Sequence, residues 1–393
     1  MLVAGAIVLA ISLGIRHAFG LFLQPISMDN GCGRETFALA MALQNLVWGI
    51  SQPFTGMAAD RLGAGKVIIA GALLYVAGLV LMSMPLGTAG FMLSAGVLIG
   101  LGLSGTTFPV VFGAISRAVP AEKRSLAMGI AMSVGSFGQF VMLPGALGLM
   151  NNFGWQGALI AFSCLTGAIV ALAAMMMERR EGPLASATGP SAGQALRIAL
   201  AHRGFWLLSL GFFVCGFQVV FIAVHLPAFL GDRGLDPAVA TTVLALIGLV
   251  NIAGTYFAGL WGGRYPKPRM LVLIYLGRAA AIAAFVYLPI SAWSAYAFGI
   301  TMGLFWLSTI PLTNGIVATL FGVKNMSMLG GLVFFLHQVG SFLGGWLGGL
   351  LYDSHGSYDA AWAMAIALSV IAASLNWPIE EKAADVAVAI ERA

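Results

Sequence analysis

Arg16 and His17 stand side by side in the middle of an apolar run, S-L-G-I-R-H-A-F-G-L-F-L-Q over Ser12–Gln24, that begins at Met1. If that run is a membrane helix entering near its third or fourth residue, Arg16 lies roughly 18 Å in, close to the middle of a hydrocarbon layer ~30 Å thick. A guanidinium stays charged there at a cost of about 2.5–3.5 kcal/mol, so it should face a bundle interior or a wet cavity. In such a place it can receive an anion. The competing explanation is an arginine bonded to carbonyls of a neighbouring helix.

Other groups able to do chemistry lie at similar depth. His337 and Gln338, in F-F-L-H-Q-V-G-S-F, fall about 13–14 Å into another run. A neutral imidazole there donates to a carboxylate oxygen, and a protonated one carries charge. Arg278, in Y-L-G-R-A-A-A-I, is about 12 Å from its helix start, where it either lines a cavity or snorkels past small alanines. Gln218, Asn251, Gln44, Asn45 and Asn314 are amides that are costly in hydrocarbon unless bonded, and Trp306 can pack on a solute or on a helix. His225, beside Pro227, reads as interfacial. All fourteen acids can be placed outside the hydrocarbon. A cavity lined by cations and no acids suits anions or neutral hydrogen-bonding solutes, and offers no carboxylate to attract a cationic one.

The elements that must hold these residues follow from composition. Of 393 residues, 60% are hydrophobic and 8% charged, far from the balance of a soluble domain. Twelve runs can cross a bilayer, at about 1–26, 36–59, 67–85, 90–116, 125–149, 155–177, 204–230, 237–261, 270–290, 292–317, 327–351 and 358–378, numbered here spans 1 to 12. The runs are continuous, without the alternation of barrel strands. The fold class is therefore an all-α membrane protein. Cys32, Cys164 and Cys215 show neither a disulfide framework nor metal spacing, and no cofactor or metal is expected. The first apolar run starts almost at Met1, without a basic n-region, so a cleaved signal peptide is not expected.

Lys and Arg crowd the loops of one side. With the N-terminus inside, the inner loops carry Arg61, Lys66, Arg117, Lys123, Arg124, Arg179, Arg180, Arg197, Arg203, Arg264, Lys267, Arg269 and Lys324, and the outer loops only Arg34 and Arg233. Both termini are thus expected in the cytoplasm, in an integral multi-pass protein of a bacterial cytoplasmic (inner) membrane. No soluble basic face exists to bind nucleic acid. No nucleophile, base and orienting group converge, and no nucleotide loop occurs, so an enzyme or ATP-driven pump is not expected.

The polar stretch 178–203, rich in Gly, Pro, Ser and Ala, reads as a cytoplasmic linker. It divides the chain into an N-terminal half (1–177), a C-terminal half (204–378) and a tail (379–393). A shift of 202–205 residues aligns the halves: Pro109 and Gly113 with Pro311 and Gly315, Arg16 with Gln218, and Val134-Gly135-Ser136-Phe137 with Val339-Gly340-Ser341-Phe342. Two pseudo-symmetric six-helix halves follow.

Between spans 2 and 3, Gly56-x-x-x-Asp60-Arg61-x-Gly63-x-x-Lys66 resembles the signature of the major facilitator superfamily. The resemblance covers the whole chain and implies alternating access to a mid-membrane solute site. It also implies that these residues gate one conformation. The second copy, with Arg264, has Gly263 where the Asp would stand. Ala18-Phe19-Gly20-Leu21-Phe22-Leu23-Gln24-Pro25 and Lys123-Arg124-x-Leu126-Ala127-x-Gly129-x-Ala131 resemble the branch of monocarboxylate transporters and oxalate/formate antiporters. That branch carries an arginine in span 8 four residues after an acid or amide; here Asn251 is followed at that spacing by Thr255. The resemblance implies a secondary active transporter of a small organic anion, a monocarboxylate, with Arg16, His17 or Arg278 supplying the missing charge. Protons or a counter-anion are the coupled species to consider, and a monomer is expected. The alternative is a transporter, in either direction, of a larger neutral or amphipathic solute such as a drug or vitamin.

Overall fold

The computed structural model describes residues 1–29, 34–177 and 190–383. Residues 178–189 of the expected linker and 384–393 of the expected tail lie outside them. The described residues are helical, as the apolar runs require: a backbone in lipid must satisfy its own polar groups, and a helix does so within one segment. Among the described residues, ten helices are long and apolar enough to cross a membrane. One of these, Ala121–Ala174, holds two spans, because Gly154 takes φ 70° and turns the chain between spans 5 and 6. The remaining span, span 2, is Arg34–Leu62, less apolar because it carries Gln44, Asn45 and Gln52. It stops at Gly63, whose φ of 94° suits glycine. Within the expected linker, Ala192–Ala201 forms a short helix that buries Ala195, Ile198 and Ala199.

The chain packs as two compact units. One is Met1–Pro120, Val134–Ala192 and Val323–Leu332; the other is Ala121–Ser133, Gly193–Gly322 and Val333–Ala393. Each unit thus includes the first turns of one helix that continues in the other unit, at the starts of spans 5 and 11.

In both units one span is broken at a proline. Span 4 passes from Ile99–Thr106 to Phe108–Ala118 through an extended Thr107, with Pro109 in the first turn after the break. Span 10 passes from Ala292–Phe305 to Thr309–Phe321, with Pro311 in the corresponding place. Proline removes an N–H and clashes with the carbonyl a turn earlier, and the freed groups must find partners nearby. In the first unit Gln52 Nε2 and Thr55 Oγ1 of span 2 donate to Ser104 O at 2.8 and 3.1 Å. In the second unit the same duty falls on an arginine.

A tyrosine repeats as well. Tyr75 of span 3 donates its hydroxyl to Ser12 O of span 1 at 3.1 Å, and Tyr275 of span 9 donates to Gly211 O of span 7 at 2.6 Å. Both tyrosines are fully buried. The core of the second unit is closed by aromatic edges around Trp362, whose ring lies 4.8 Å from Phe221 and 5.2 Å from Phe229 between centroids.

Candidate functional site

In the first unit, Arg16 occupies the last turn of helix Leu2–Ala18, just before the chain tightens into a 3-10 segment at Phe19–Phe22. Its Nη2 donates to Asn45 Oδ1. The guanidinium carbon lies 5.1 Å from the ring centre of Trp48, a cation–π contact. Asn45 and Trp48 are three apart on span 2 and so share a face. Trp48 is fixed in turn, its Nε1 shared between Gln52 Oε1 (2.9 Å) and Thr107 Oγ1 (3.0 Å). Gln44 on the adjoining face donates to Ala95 O at 2.7 Å. Arg16 is only half-buried, yet its Nε is covered and has no hydrogen-bond partner. The site is a positioned cation with a donor to spare. His17, its neighbour in the chain, is exposed and joins none of these contacts.

The second unit treats its arginine differently. Arg278 is 0% exposed. Nη2 donates to Phe305 O (2.7 Å) and Trp306 O (2.5 Å), Nε to Phe305 O (3.3 Å), and Nη1 to Gln218 Oε1 (3.2 Å). The carbonyls it meets are those released by the break in span 10. The opposite side of that break is met by Asn251, whose Oδ1 accepts from Leu307 N at 2.9 Å. Gln218 completes its bonding by donating to Ala365 O at 2.9 Å and to Ser369 Oγ. Three expected site residues, Gln218, Asn251 and Arg278, are thus brought together with Trp306, and they serve the break. The explanation weighed for Arg16, carbonyls of a neighbouring helix, describes Arg278. Trp306 itself is half-buried against the second unit's core.

His337 and Gln338 are both buried on span 11, each 7% exposed. The imidazole is clasped between Phe212 of span 7 (4.6 Å between centroids) and Phe334, one turn earlier on span 11 (5.4 Å, interplanar 10°). His225, by contrast, is held by Gly345 O (2.8 Å) and Tyr358 Oη (3.3 Å), as helix packing requires. Thr255, at the position where the resembled branch has its arginine, shares a hydrogen bond with Ser133 Oγ at 3.0 Å and donates to Asn251 O at 2.9 Å.

At the loop between spans 2 and 3, Asp60 accepts from Arg117 Nη1 (2.8 Å) and from the main-chain N–H of Ser327 (3.2 Å) and Met328 (2.9 Å). The last two are at the start of helix Met326–His355, where N–H groups have no partner within the helix and a negative charge is favoured. A Cβ on Gly56 would collide with the Ser327 carbonyl, so only glycine lets the two segments meet. In the second copy Gly259 packs on Gly129, where an added Cβ would come within 2.5 Å of the facing Cα, but no carboxylate follows it. Arg61, Lys66 and Arg264 are exposed, and Gly63 serves as the turn.

Asn45 was named only as an amide that needs a partner, and Trp48 and the two tyrosines were not singled out as site groups by sequence reasoning. The signal for the first two was present in Asn45-x-x-Trp48-x-x-x-Gln52, one polar face on an otherwise apolar helix.

A family model described as Major Facilitator Superfamily matches residues 2–343. Monocarboxylate transporter 13 of Rattus norvegicus is 27% identical over 368 residues, which are 91% of this chain and 82% of that one. Monocarboxylate transporter 11 of Mus musculus is 27% identical over 366 residues, 89% of this chain and 80% of that one. Among solved structures, a variant of the E. coli fucose:proton symporter FucP superposes with a TM-score of 0.73 at 14% identity, covering 96% of this chain and 98% of that one.

Proposed function

The chain belongs to the major facilitator superfamily, and from that premise we propose that it is a secondary active transporter of a small organic anion of the monocarboxylate class, working by alternating access. The observation that carries the reading is the Arg16 cluster: a permanent cation in the apolar first span, oriented by Asn45 and Trp48, with a covered Nε that no group among the described residues accepts from. A carboxylate oxygen supplies such an acceptor and forms a charge-assisted hydrogen bond. The names of the relatives agree with that chemistry. His17, Gln338, His337 and Trp306 are proposed as further solute contacts. Arg278, Gln218 and Asn251 are proposed to act on the solute by holding the backbone at Trp306. The loop residues Gly56, Asp60, Arg61, Gly63 and Lys66, with Arg264 in the second copy, are proposed as the gate. The cytoplasmic position of both termini is proposed on the distribution of Lys and Arg.

A second reading, a neutral or amphipathic solute, is favoured by one observation: Thr255, bonded to Ser133, leaves span 8 without charge. Uptake of labelled short carboxylates into proteoliposomes separates the two. Arg16→Gln is expected to abolish uptake while the protein inserts and elutes as the wild type does. Transport unaffected by Arg16→Gln, or by competing carboxylates, would overturn the anion reading.

A further inference from the structure

The loop between spans 8 and 9 has Gly263 where the first copy has Asp60, yet a carboxylate reaches this part of the second unit from beyond span 12. Glu381 meets the start of helix Lys267–Tyr287, and both its oxygens are engaged. Oε2 accepts from the main-chain N–H of Lys267 at 2.9 Å, and Oε1 from Lys267 Nζ at 2.8 Å. The two side chains are only 17% and 19% exposed. The same segment is held a second time at Trp377, whose ring centre lies 3.8 Å from the guanidinium carbon of Arg269. Ile379, between the two contacts, is buried. The adjoining Glu380 instead pairs with Lys382, both side chains standing in solvent.

Glu381 has the same kinds of partner as Asp60. Asp60 accepts from main-chain N–H groups at the start of helix Met326–His355 and from a cation, Arg117. Glu381 accepts from a main-chain N–H at the start of another helix and from a cation, Lys267. Each arrangement also closes over a glycine of a broken span. A Cβ on Gly113 of span 4 would collide with Ser327 Oγ and come within 3.2 Å of Arg117 Nη1, and one on Gly315 of span 10 would come within 2.8 and 2.9 Å of Lys267 Cδ and Cε. Gly113 and Gly315 are mates in the internal repeat.

We propose that Glu381 is the second unit's counterpart of Asp60, a gating carboxylate that with Lys267 clamps the Thr309–Phe321 half of span 10 to the start of span 9. The assignment rests on reading the chain as an alternating-access transporter with Asp60 in its gate. The stem of Lys267 lies across Gly315 and Glu381 fixes its head, so this half-helix cannot tilt away without parting a charge-assisted pair. It needs such a tie because the break after Phe305 interrupts the hydrogen-bond ladder that would otherwise hold it in line with Ala292–Phe305.

Hydrogen–deuterium exchange of the full chain in nanodiscs reads the tie without any solute. Glu381→Gln keeps the shape and removes the charge, and is expected to speed exchange of the Thr309–Phe321 amides by about ten-fold while the melting temperature moves little. Gly315→Ala, which pushes the Lys267 stem aside, is expected to speed the same amides, and the double variant to add little to either single one because both open one clasp. Glu380→Gln should leave these amides as in the wild type. Unchanged exchange in Glu381→Gln, equal acceleration in Glu380→Gln, or effects that multiply in the double variant overturn the clasp. In proteoliposomes, Glu381→Gln is expected to change the maximal rate of labelled lactate uptake by at least about three-fold at an unchanged KM, since conformational steps set turnover. An unchanged rate overturns the gating role. If Glu381→Gln alters uptake and Asp60→Asn does not, the gate reading of Asp60 fails and the clasp stands. A wild type that takes up no lactate defeats the transport reading, and exchange still decides the clasp.

Discussion

Arg16 and Arg278 are the same side chain at comparable depth in apolar helices, and the two units use them in opposite ways. Arg16 leans on one amide and one indole, stays half-buried and keeps a donor unused. Arg278 is sealed, with its donors directed to two main-chain carbonyls, an amide and a thiol. What separates them is the helix across the way. Beside Arg278, span 10 is broken and its freed carbonyls need a strong donor. In the first unit the equivalent break is met from span 2 by the neutral Gln52 and Thr55, so the cation there is left over for something else. A buried arginine reads as structural or as ligand-binding only once the bonding state of the backbone around it is known.

The comparison can be broken at several points. The largest effect is expected for Arg278→Leu, which orphans Phe305 O, Trp306 O and Gln218 Oε1 at about 1–3 kcal/mol each. The outcome is a protein with a much lowered melting temperature in detergent, measured by size-exclusion after heating, and Arg278→Lys recovers only part of it. Arg16→Gln should do the reverse, losing transport by about a hundred-fold or more while the melting temperature moves little. If both variants melt alike, the distinction drawn between the two arginines is wrong. Asn45→Ala tests the positioning of Arg16: loss of one hydrogen bond to a charged group is worth about 1.5 kcal/mol, roughly ten-fold, and should appear in KM rather than in stability. The smallest pair is Tyr75→Phe and Tyr275→Phe, each removing one hydroxyl-to-carbonyl bond for about 1 kcal/mol. Equal melting shifts would support the internal repeat.

The loop copies offer a second contrast of the same kind. Gly56 and Gly259 both admit a close backbone neighbour, but only the first is followed by a carboxylate that bonds the start of the facing helix. Asp60→Asn keeps the shape and removes the charge, so it should alter the balance between conformations, read as changed accessibility of single cysteines to a membrane-impermeant maleimide. A matching substitution at Gly263 should leave that readout near the wild type.

Much of this was legible before any coordinates. Twelve spans followed from continuous apolar runs and the two halves from matches such as Pro109 with Pro311; the residues that meet the start of span 11, Gly56 and Asp60, stood out in their motif. The partners of the buried polar groups were not. Arg278 invited a cavity as readily as a snorkelling cation, because sequence gives depth along a helix but not what stands across from it. The same limit hid Trp48 and the partner of Asn45, which become site residues only through their contact with Arg16, and it hid the meeting of Cys215 and Arg278 from two different spans.

Composition and spacing alone thus determined that the chain crosses a bilayer as two six-helix repeats and that its deep polar groups are cationic and amide, since hydrophobic length and charge asymmetry act locally along a chain. Which guanidinium is spent and which is free was decided only by tertiary structure. The break in span 10 releases carbonyls whose donor, Arg278, lies 27 residues earlier in the chain, and no pattern along one helix records which group its neighbour will ask it to satisfy.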